Sequence, residues 1–319
     1  MQNRPLVLLW TDNPGPYSDA IRSAGLADRV ETDTLGRRDM PSDRQVAQTT
    51  VLLAAAVPPG LLPRMTRLRW AQSLTAGVEG WLAQPDLPAD LILTCARGTH
   101  RESMPENILG ALFHITKPFA AIAEDQKQSL WRHRVAQPLN GKTLGILGLG
   151  AIGQEVARLA SALGMTVIGT RRRPEPVPGV AEVLPAERSD EVLGRSDFVV
   201  LLLPATPATE SFIDAKILSH MKPEAWLLNF GRGAVIKDED LIAAVRNKTI
   251  AGAILDVFRQ EPLPKEHEFW RTEGIMVLPH IGGPHPDRDS IVARLFIENL
   301  RRFLDEQPLK EVVDREAGY

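Results

Sequence analysis

The segment from Thr143 to Arg173 constrains the fold of this 319-residue chain more than any other part of the sequence. It reads TLGILGLGAIGQEVARLASALGMTVIGTRRR. A short apolar run is followed by closely spaced glycines, then by apolar residues at helical spacing, and then by a second apolar run. This order of strand, tight turn, helix and strand is the one that a dinucleotide-binding site requires.

Each glycine of the turn has its own task in such a site. Gly148 allows the tight turn from strand to helix, Gly150 lets the backbone approach a pyrophosphate, and Gly153 lets the helix pack against the strand. The helix N-terminus then faces the phosphates, whose negative charge it favours. A purely structural glycine turn is the alternative, but the strand and helix patterns on either side favour a dinucleotide.

The residues after the second apolar run indicate which dinucleotide is bound. NAD-binding units usually carry an acidic residue about 20 residues beyond the glycines, where it accepts hydrogen bonds from the ribose hydroxyls. Here Thr170 is followed by Arg171, Arg172 and Arg173. Because guanidinium groups suit the additional 2′-phosphate of NADPH, we expect NADPH to be preferred, with NADH possible. A solvated basic loop is the alternative interpretation.

Composition narrows the classes of function. With 44% hydrophobic residues the chain can bury a core large enough for two domains. Its net charge of −3 is not the overall positive charge that is typical of nucleic-acid-binding proteins, so we expect no nucleic-acid partner. We expect no membrane partner and a cytoplasmic location, because no signal peptide precedes Leu6 and no apolar run reaches membrane-spanning length. The single cysteine, Cys95, excludes an internal disulfide and a cysteine-based zinc site.

Apolar runs alternate with helical or turn-like segments, which predicts an α/β fold with parallel sheets. A helix is predicted from Ser103 toward Ala123, opened by a capping box of Ser103 and Glu106, with a kink before Pro118 as an alternative to a straight helix. A last helix is predicted from about Asp289 to Leu304 and is expected to return to the first domain. The strand candidates outside the glycine segment are Leu6 to Trp10, Val51 to Val57, Leu68 to Ala71, Leu91 to Ala96, Phe198 to Leu203, Ala225 to Asn229, Ala251 to Val257 and Ile275 to Leu278.

Several ordered blocks of sequence resemble one enzyme family. They are GILGLGAIG, LLLPATPAT, LLNFGRGAVIKDEDL, GAILDVFRQEPLP, VLPHIGG and VDREAGY. Together they resemble the D-isomer-specific 2-hydroxyacid dehydrogenase family, most of all its bacterial glyoxylate/hydroxypyruvate reductase A group, over nearly the whole chain and least before residue 60. The resemblance implies two doubly wound domains. A Rossmann cofactor domain, residues 98–286, would be inserted into a smaller flavodoxin-like substrate domain, residues 1–97 and 287–319.

Reduction of a 2-keto acid needs a cation, an acid and a partner that keeps the acid charged near neutral pH. By resemblance, Arg232 clamps the substrate carboxylate and carbonyl, His280 donates the proton, and Glu261 pairs with His280. All three follow predicted strands, on the side where ligands bind in open α/β sheets. Each residue taken alone has a plainer alternative, as a surface cation, a solvated loop charge or a turn histidine.

The resemblance also implies contacts with the cofactor and the substrate. For the substrate, Ala76 and Gly77 resemble the family's carboxylate-binding turn, with an ordinary loop as the alternative. The positions implied for the cofactor, besides the three glycines and three arginines above, are Ala151, Ile152, Pro204, Thr209, Phe230, Gly231, Asp256, Gly282 and Gly283.

Other positions keep two interpretations. Arg97, His100 and Arg101 make the segment before the long helix more basic than is usual in the family, so they could contact substrate or face solvent. Trp131 could reach the active site of a partner subunit, as in some family dimers, or be a core residue. We expect no metal site, because the spacing of the histidines near residue 280 suits no ligand pair.

Together with the arginines after the second apolar run, the resemblance implies an NADPH-preferring reductase that converts small 2-keto acids, such as glyoxylate and hydroxypyruvate, to D-2-hydroxy acids. The resemblance also implies a homodimer. A dehydrogenase of a bulkier or more anionic 2-hydroxy acid, for example a phosphonate, is the alternative within the enzyme class. A nucleotide-sensing scaffold like the family's transcriptional corepressors is the alternative outside it.

Overall fold

The computed structural model describes residues 4–318 and divides the chain into two compact units. One unit comprises the residues up to Thr99 together with those from His285 onward, and the other spans His100–Pro284. The second unit is therefore an insertion in the first. The chain passes from one unit to the other between residues 99 and 100 and again between residues 284 and 285. The resemblance implied boundaries at 97/98 and 286/287.

The first unit contains a five-stranded parallel sheet with strand order β2-β1-β3-β4-β5, the flavodoxin-like order. Its strands are β1 (Leu6–Trp10), β2 (Glu31–Leu35), β3 (Thr49–Ala54), β4 (Trp70–Ser73) and β5 (Ile92–Thr94). Its helices are α1 (Gly15–Ser23), α2 (Asp43–Gln48), α3 (Glu79–Leu82) and, from the end of the chain, α10 (Arg288–Leu304).

Apolar side chains cover both faces of this sheet. On one face, Phe296 of α10 stacks on Trp70 of β4 with ring centroids 5.3 Å apart, and Tyr17 of α1 packs in the same cluster. On the other face, Trp81 and the buried Cys95 lie in a second cluster. The last helix thus packs in the first unit, as expected from the sequence.

The second unit contains a seven-stranded parallel sheet with strand order β12-β11-β10-β9-β6-β7-β8. This is the Rossmann order with one strand added, so the predicted α/β class of two doubly wound units is confirmed. The strands are β6 (Thr143–Leu147), β7 (Thr166–Thr170), β8 (Glu182–Leu184), β9 (Phe198–Leu201), β10 (Trp226–Asn229), β11 (Gly252–Leu255) and β12 (Ile275–Val277). The helices are α4 (Ser103–Thr116), α5 (Phe119–Lys127), α6 (Ala151–Ala162), α7 (Ser189–Arg195), α8 (Ala215–Leu218) and α9 (Asp238–Arg246).

The predicted capping box at Ser103 is wrong. The N-cap of α4 is Glu102, which makes no side-chain capping hydrogen bond, and Ser103 lies in the first turn. The helix predicted from Ser103 toward Ala123 is interrupted at the place of the alternative kink, before Pro118. It forms two helices, since α4 ends at Thr116 and α5 begins at Phe119. Proline disfavours helical geometry in the residue before it, which accounts for the break.

Within residues 4–318, none of the helices combines the length and the apolar character needed to cross a membrane.

Candidate active site

The glycine turn after β6 has the local geometry that its sequence predicts. Gly148 adopts a φ of +110°, a conformation that side chains rarely allow, and a Cβ there would lie 2.8 Å from the carbonyl oxygen of Leu202. The N–H groups of Gly148 and Leu149 both donate to the carbonyl of Thr170, at 3.2 and 2.9 Å. The turn is therefore fixed to the end of β7.

The next two glycines differ in their surroundings. A Cβ on Gly153 would lie 2.4 Å from the carbonyl oxygen of Gly148, so α6 packs too closely on the turn for any side chain. A Cβ on Gly150 would meet nothing within 4 Å. Gly150 is the N-cap of α6 and provides no side-chain cap, and the N–H groups of Ala151 and Ile152 have no acceptor within the helix. This open, donor-rich helix N-terminus fits a dinucleotide pyrophosphate.

The three arginines follow directly after β7. The Arg171 N–H donates to the carbonyl of Leu184 in β8, which ties the start of the basic segment to the sheet. Its guanidinium lies 3.9 Å from the exposed carboxylate of Glu175, a loose surface pair. Arg172 and Arg173 are exposed. The basic segment thus begins at the carboxyl end of β7, in the place where NAD-binding units carry their acid.

Four of the cofactor candidates lie in the loops after β9 and β10. The Thr209 hydroxyl donates to the Pro204 carbonyl at 2.6 Å, which closes the loop after β9 on itself. Phe230 is buried, and a Cβ on Gly231 would lie 2.7 Å from the carbonyl oxygen of Leu203. The loops after β9 and β10 therefore approach each other through backbone at Gly231.

Arg232 follows the end of β10 in a turn that a buried asparagine organises. The Asn229 side chain accepts from the Gly231 N–H at 3.1 Å and donates to the Arg232 carbonyl at 3.0 Å. The Arg232 guanidinium donates to the Gly231 carbonyl at 2.8 Å and is partly exposed. A cation is thus held at the carboxyl edge of the sheet on a rigid turn.

Glu261 and His280 are in direct contact. Nδ1 of His280 lies 2.6 Å from Oε2 of Glu261, and the other carboxylate oxygen accepts from the Phe258 N–H at 2.9 Å. Half of the His280 side chain is exposed. Because Nδ1 is engaged by Glu261, Nε2 is the nitrogen that can donate a proton to a ligand.

The backbone at His280 is held in a left-handed conformation, with a φ of 54°. The buried Asp256 carboxylate accepts from the N–H groups of the next two residues, Ile281 at 2.7 Å and Gly282 at 2.9 Å. Burial raises the pKa of the Asp256 carboxyl, and these two hydrogen bonds oppose that rise. A Cβ on Gly282 would lie 2.6 Å from Asp256, so the contact requires glycine. In this structure, the Asp256 carboxylate therefore holds the backbone of the turn that carries His280.

Gly283 completes this turn and is buried. A Cβ on it would lie 3.1 Å from Nε2 of His100, so the His100 ring packs against this glycine. Arg101, the next residue, is exposed. In the part of the chain that the structure describes, no group of three His, Cys, Asp or Glu side chains could hold a metal ion.

Ala76 and Gly77 lie in the first unit, in the loop between β4 and α3. The loop is closed by the Thr75 hydroxyl, which donates to the Gly77 carbonyl at 2.7 Å. Both residues are partly exposed. Their implied contact with a substrate carboxylate stays a prediction.

Trp131 is fully exposed, so its interpretation as a core residue is wrong. It lies in the segment after α5, beside two arginines that pair with Asp125. Nε of Arg134 donates to Asp125 at 2.7 Å, and Arg132 contacts the same carboxylate at 3.4 Å. These hydrogen bonds fix the segment that presents the tryptophan.

Three polar residues that support the site were missed from the sequence. Asn229 ends a buried strand, and an amide there is a signal that could have been used. Asn107 stands on the mostly apolar α4 and donates to the carbonyls of Ile281 and Gly282, at 3.1 and 3.2 Å. Arg259 follows β11, and nothing in the sequence indicates which loop its long side chain contacts.

The three catalytic candidates follow neighbouring strands. β10, β11 and β12 are adjacent and parallel, so their carboxyl ends share one edge of the sheet. Arg232 follows β10, Glu261 follows β11, and His280 follows β12. The edge therefore carries a cation, a carboxylate and a histidine, with the glycine turn after β6 in the same sheet. This set can bind an anionic substrate and transfer a proton to it.

Known proteins that bind nicotinamide cofactors resemble this chain over much of its length. Residues 109–282 match the family model described as D-isomer specific 2-hydroxyacid dehydrogenase, NAD binding domain. Glyoxylate/hydroxypyruvate reductase A from Serratia proteamaculans is 31% identical over 281 residues, 85% of this chain and 89% of that protein. (S)-sulfolactate dehydrogenase from Chromohalobacter salexigens is 30% identical over 251 residues, 76% of this chain and 80% of that protein.

A solved structure extends the similarity to the fold. The NADPH-dependent glyoxylate/hydroxypyruvate reductase from Sinorhizobium meliloti, in complex with NADP and sulfate, has a TM-score of 0.85 and 29% identity. The match covers 99% of this chain and 100% of that chain. The chain therefore belongs to the D-isomer specific 2-hydroxyacid dehydrogenase family and is an NAD(P)-dependent oxidoreductase.

Proposed function

We propose that the protein is an NADPH-preferring reductase of small 2-keto acids, with glyoxylate and hydroxypyruvate as substrates and D-2-hydroxy acids as products. The observation that carries the proposal is the 2.6 Å contact between Glu261 and Nδ1 of His280. A histidine held in this way, beside the Arg232 turn and in the same sheet as the glycine turn, has the chemistry of a ketone reductase.

Each residue of the proposed site has a separate task. The reduced nicotinamide, when bound, supplies the hydride that reduces the keto carbon. Arg232 binds the substrate carboxylate and polarises the carbonyl, since its planar fork matches a carboxylate. His280 gives its Nε2 proton to the ketone oxygen. Glu261 orients the ring by holding Nδ1, which leaves Nε2 directed to the substrate.

The test of this function is oxidation of NADPH, followed by absorbance, with a panel of keto acids. We expect saturable turnover with glyoxylate and hydroxypyruvate. A scaffold of the corepressor kind would bind NADPH and turn over slowly with every acid. That outcome would exclude the proposed activity while leaving cofactor binding intact.

A more anionic substrate is the second candidate. It is supported by the similarity to (S)-sulfolactate dehydrogenase and by the basic residues at positions 97, 100 and 101. The panel should therefore include sulfopyruvate and phosphonopyruvate. A catalytic efficiency for either acid that exceeds the efficiency for glyoxylate would establish this candidate in place of the first.

The basic segment after β7 leads to a prediction on cofactor choice. We expect kcat/KM with NADPH to be at least about tenfold higher than with NADH at fixed glyoxylate, since the arginine fork can bind the 2′-phosphate. Replacement of Arg171 and Arg172 by alanine should raise the KM for NADPH and change the KM for NADH much less. Steady-state kinetics with both cofactors measure this. Equal efficiencies in the unmodified enzyme would contradict it.

The contact between Glu261 and His280 leads to a prediction on turnover. We expect Glu261→Gln to lower kcat for reduction by about tenfold or more, because an amide holds Nδ1 of the His280 ring less strongly than the carboxylate does at 2.6 Å. Steady-state kinetics of both proteins with glyoxylate provide the measurement. An unchanged kcat would show that Glu261 does not position the proton donor.

We also propose that the protein is a homodimer that covers the exposed apolar side chains of α5 and the segment after it. Phe119, Trp131 and Val135 are 70%, 101% and 80% exposed, which is unusual for large apolar residues on one short stretch of chain. Sedimentation velocity should give twice the chain mass, and Trp131→Ala should weaken the association. A monomer at micromolar concentration would contradict the proposal.

A further inference from the structure

Arg259 connects two of the loops that carry the proposed catalytic residues. It stands in the loop after β11, two residues before Glu261, and its side chain crosses to the loop after β10, which carries Arg232. No part of the proposed chemistry uses this arginine.

The guanidinium donates to backbone carbonyls just beyond Arg232. Nε and one terminal nitrogen donate to the Ile236 carbonyl at 2.8 and 2.5 Å, and the same terminal nitrogen donates to the Ala234 carbonyl at 2.9 Å. It also reaches the Ser211 hydroxyl at 2.7 Å. A third of the Arg259 side chain is exposed, so these hydrogen bonds are partly shielded from water.

The two loops are also in backbone contact beside these hydrogen bonds. A Cβ on Gly233 would lie 2.0 Å from the carbonyl carbon of Phe258 and 2.4 Å from the Arg259 nitrogen. The glycine next to Arg232 thus packs directly on the peptide before Arg259. Since the Phe258 N–H donates to Glu261, a movement at this contact would reach both the arginine and the carboxylate.

We propose that Arg259 is a positioning residue that sets the placement of Arg232 relative to the Glu261–His280 pair. This inference rests on the proposed function, because it assigns Arg259 to the binding and protonation of the keto acid. The planar fork serves these acceptors together, because Nε donates to the Ile236 carbonyl while the two hydrogens of the terminal nitrogen are shared with the Ala234 carbonyl and the Ser211 hydroxyl. A lysine ammonium has no second nitrogen and sits on a flexible stem, so it cannot hold these acceptors in the same fixed arrangement.

The test compares Arg259→Ala and Arg259→Lys with the unmodified enzyme. We expect Arg259→Ala to raise the KM for the keto acid at least tenfold and to lower kcat, while the Kd for NADPH changes by less than about twofold. A displacement of about 1 Å at catalytic groups can lower the reaction rate by a factor of this size or more. Arg259→Lys should recover part of the loss. NADPH binding, followed by nucleotide fluorescence, checks the cofactor site.

Arg246→Ala is the matched control. Arg246 lies on α9 and pairs with Glu268 at 2.8 Å, with both side chains more than half exposed. Surface ion pairs of this kind contribute little, so the control should retain the kinetic constants of the unmodified enzyme. An equal loss in Arg246→Ala, or a parallel loss of NADPH affinity in Arg259→Ala, would overturn the positioning role. If Arg259→Ala does not fold, Arg259→Lys decides by the same criteria.

A second measurement separates this inference from the proposed function. If the unmodified protein binds NADPH but reduces no keto acid, the proposed function fails. Amide hydrogen exchange of residues 233–237 then tests Arg259 directly. Faster exchange in Arg259→Lys than in Arg246→Ala would show that the fork holds the loop after β10, and equal exchange would overturn the inference.

Discussion

We expect His280→Ala to lower kcat for keto-acid reduction by about a hundredfold or more, because general acid catalysis commonly contributes a factor of that size. The Kd for NADPH should stay nearly unchanged, since the glycine turn after β6 is untouched. Steady-state kinetics and nucleotide fluorescence measure the two quantities. A kcat within about threefold of the unmodified enzyme would exclude His280 as the proton donor.

The backbone at position 280 calls for a second variant. Because His280 has a φ of 54°, alanine could disturb the turn as well as remove the acid. Asparagine tolerates this conformation and cannot act as an acid, so His280→Asn should lose as much turnover as His280→Ala. His220→Ala is the control for loss of a histidine in the same unit, since this side chain is exposed. It should keep full turnover.

Arg232→Ala should have an effect of comparable size, and it should act on substrate binding. Truncating one partner of a shielded charge pair costs about 2–5 kcal/mol, which corresponds to a fall in kcat/KM of roughly thirtyfold to several thousandfold. We expect kcat/KM of Arg232→Lys to lie between the values for Arg232→Ala and for the unmodified enzyme. Lysine keeps the positive charge but lacks the planar fork of the guanidinium.

Oxalate separates this loss from a general defect. As a keto-acid mimic that cannot be reduced, it should bind the NADPH complex of the unmodified enzyme and of Arg246→Ala. It should bind Arg232→Ala far more weakly, which calorimetry can measure. Equal oxalate affinity in Arg232→Ala would show that this arginine does not hold the carboxylate.

The strands that the sequence predicts best are those buried on both faces. Leu6–Trp10 is a strand at the predicted bounds, because a parallel strand in the middle of a sheet is apolar throughout. Two strands were missed, Glu31–Leu35 and Glu182–Leu184. Each lies at the edge of its sheet, and the first alternates between partly buried and exposed side chains without an apolar run. Edge strands with polar residues give no such signal.

The residues of the site also divide into those that the local sequence predicts and those that it does not. The glycine turn could be predicted because its requirements are local, namely a left-handed backbone at Gly148 and a close approach at Gly153. The contact between Glu261 and His280 joins residues 19 positions apart and was implied only by the family resemblance. The reach of Arg259 across two loops depends on the adjacency of β10 and β11, which no local pattern contains.

The left-handed turn at His280 has a consequence for how this fold can be stabilised. A side chain in this conformation costs roughly 1–2 kcal/mol that glycine would not. The hydrogen bonds from Ile281 and Gly282 to Asp256 hold the turn despite that cost. Selection for thermal stability alone would therefore favour glycine at position 280, and selection for turnover would favour histidine. The position is one where the folding preference of the backbone and the needs of the chemistry are in direct conflict.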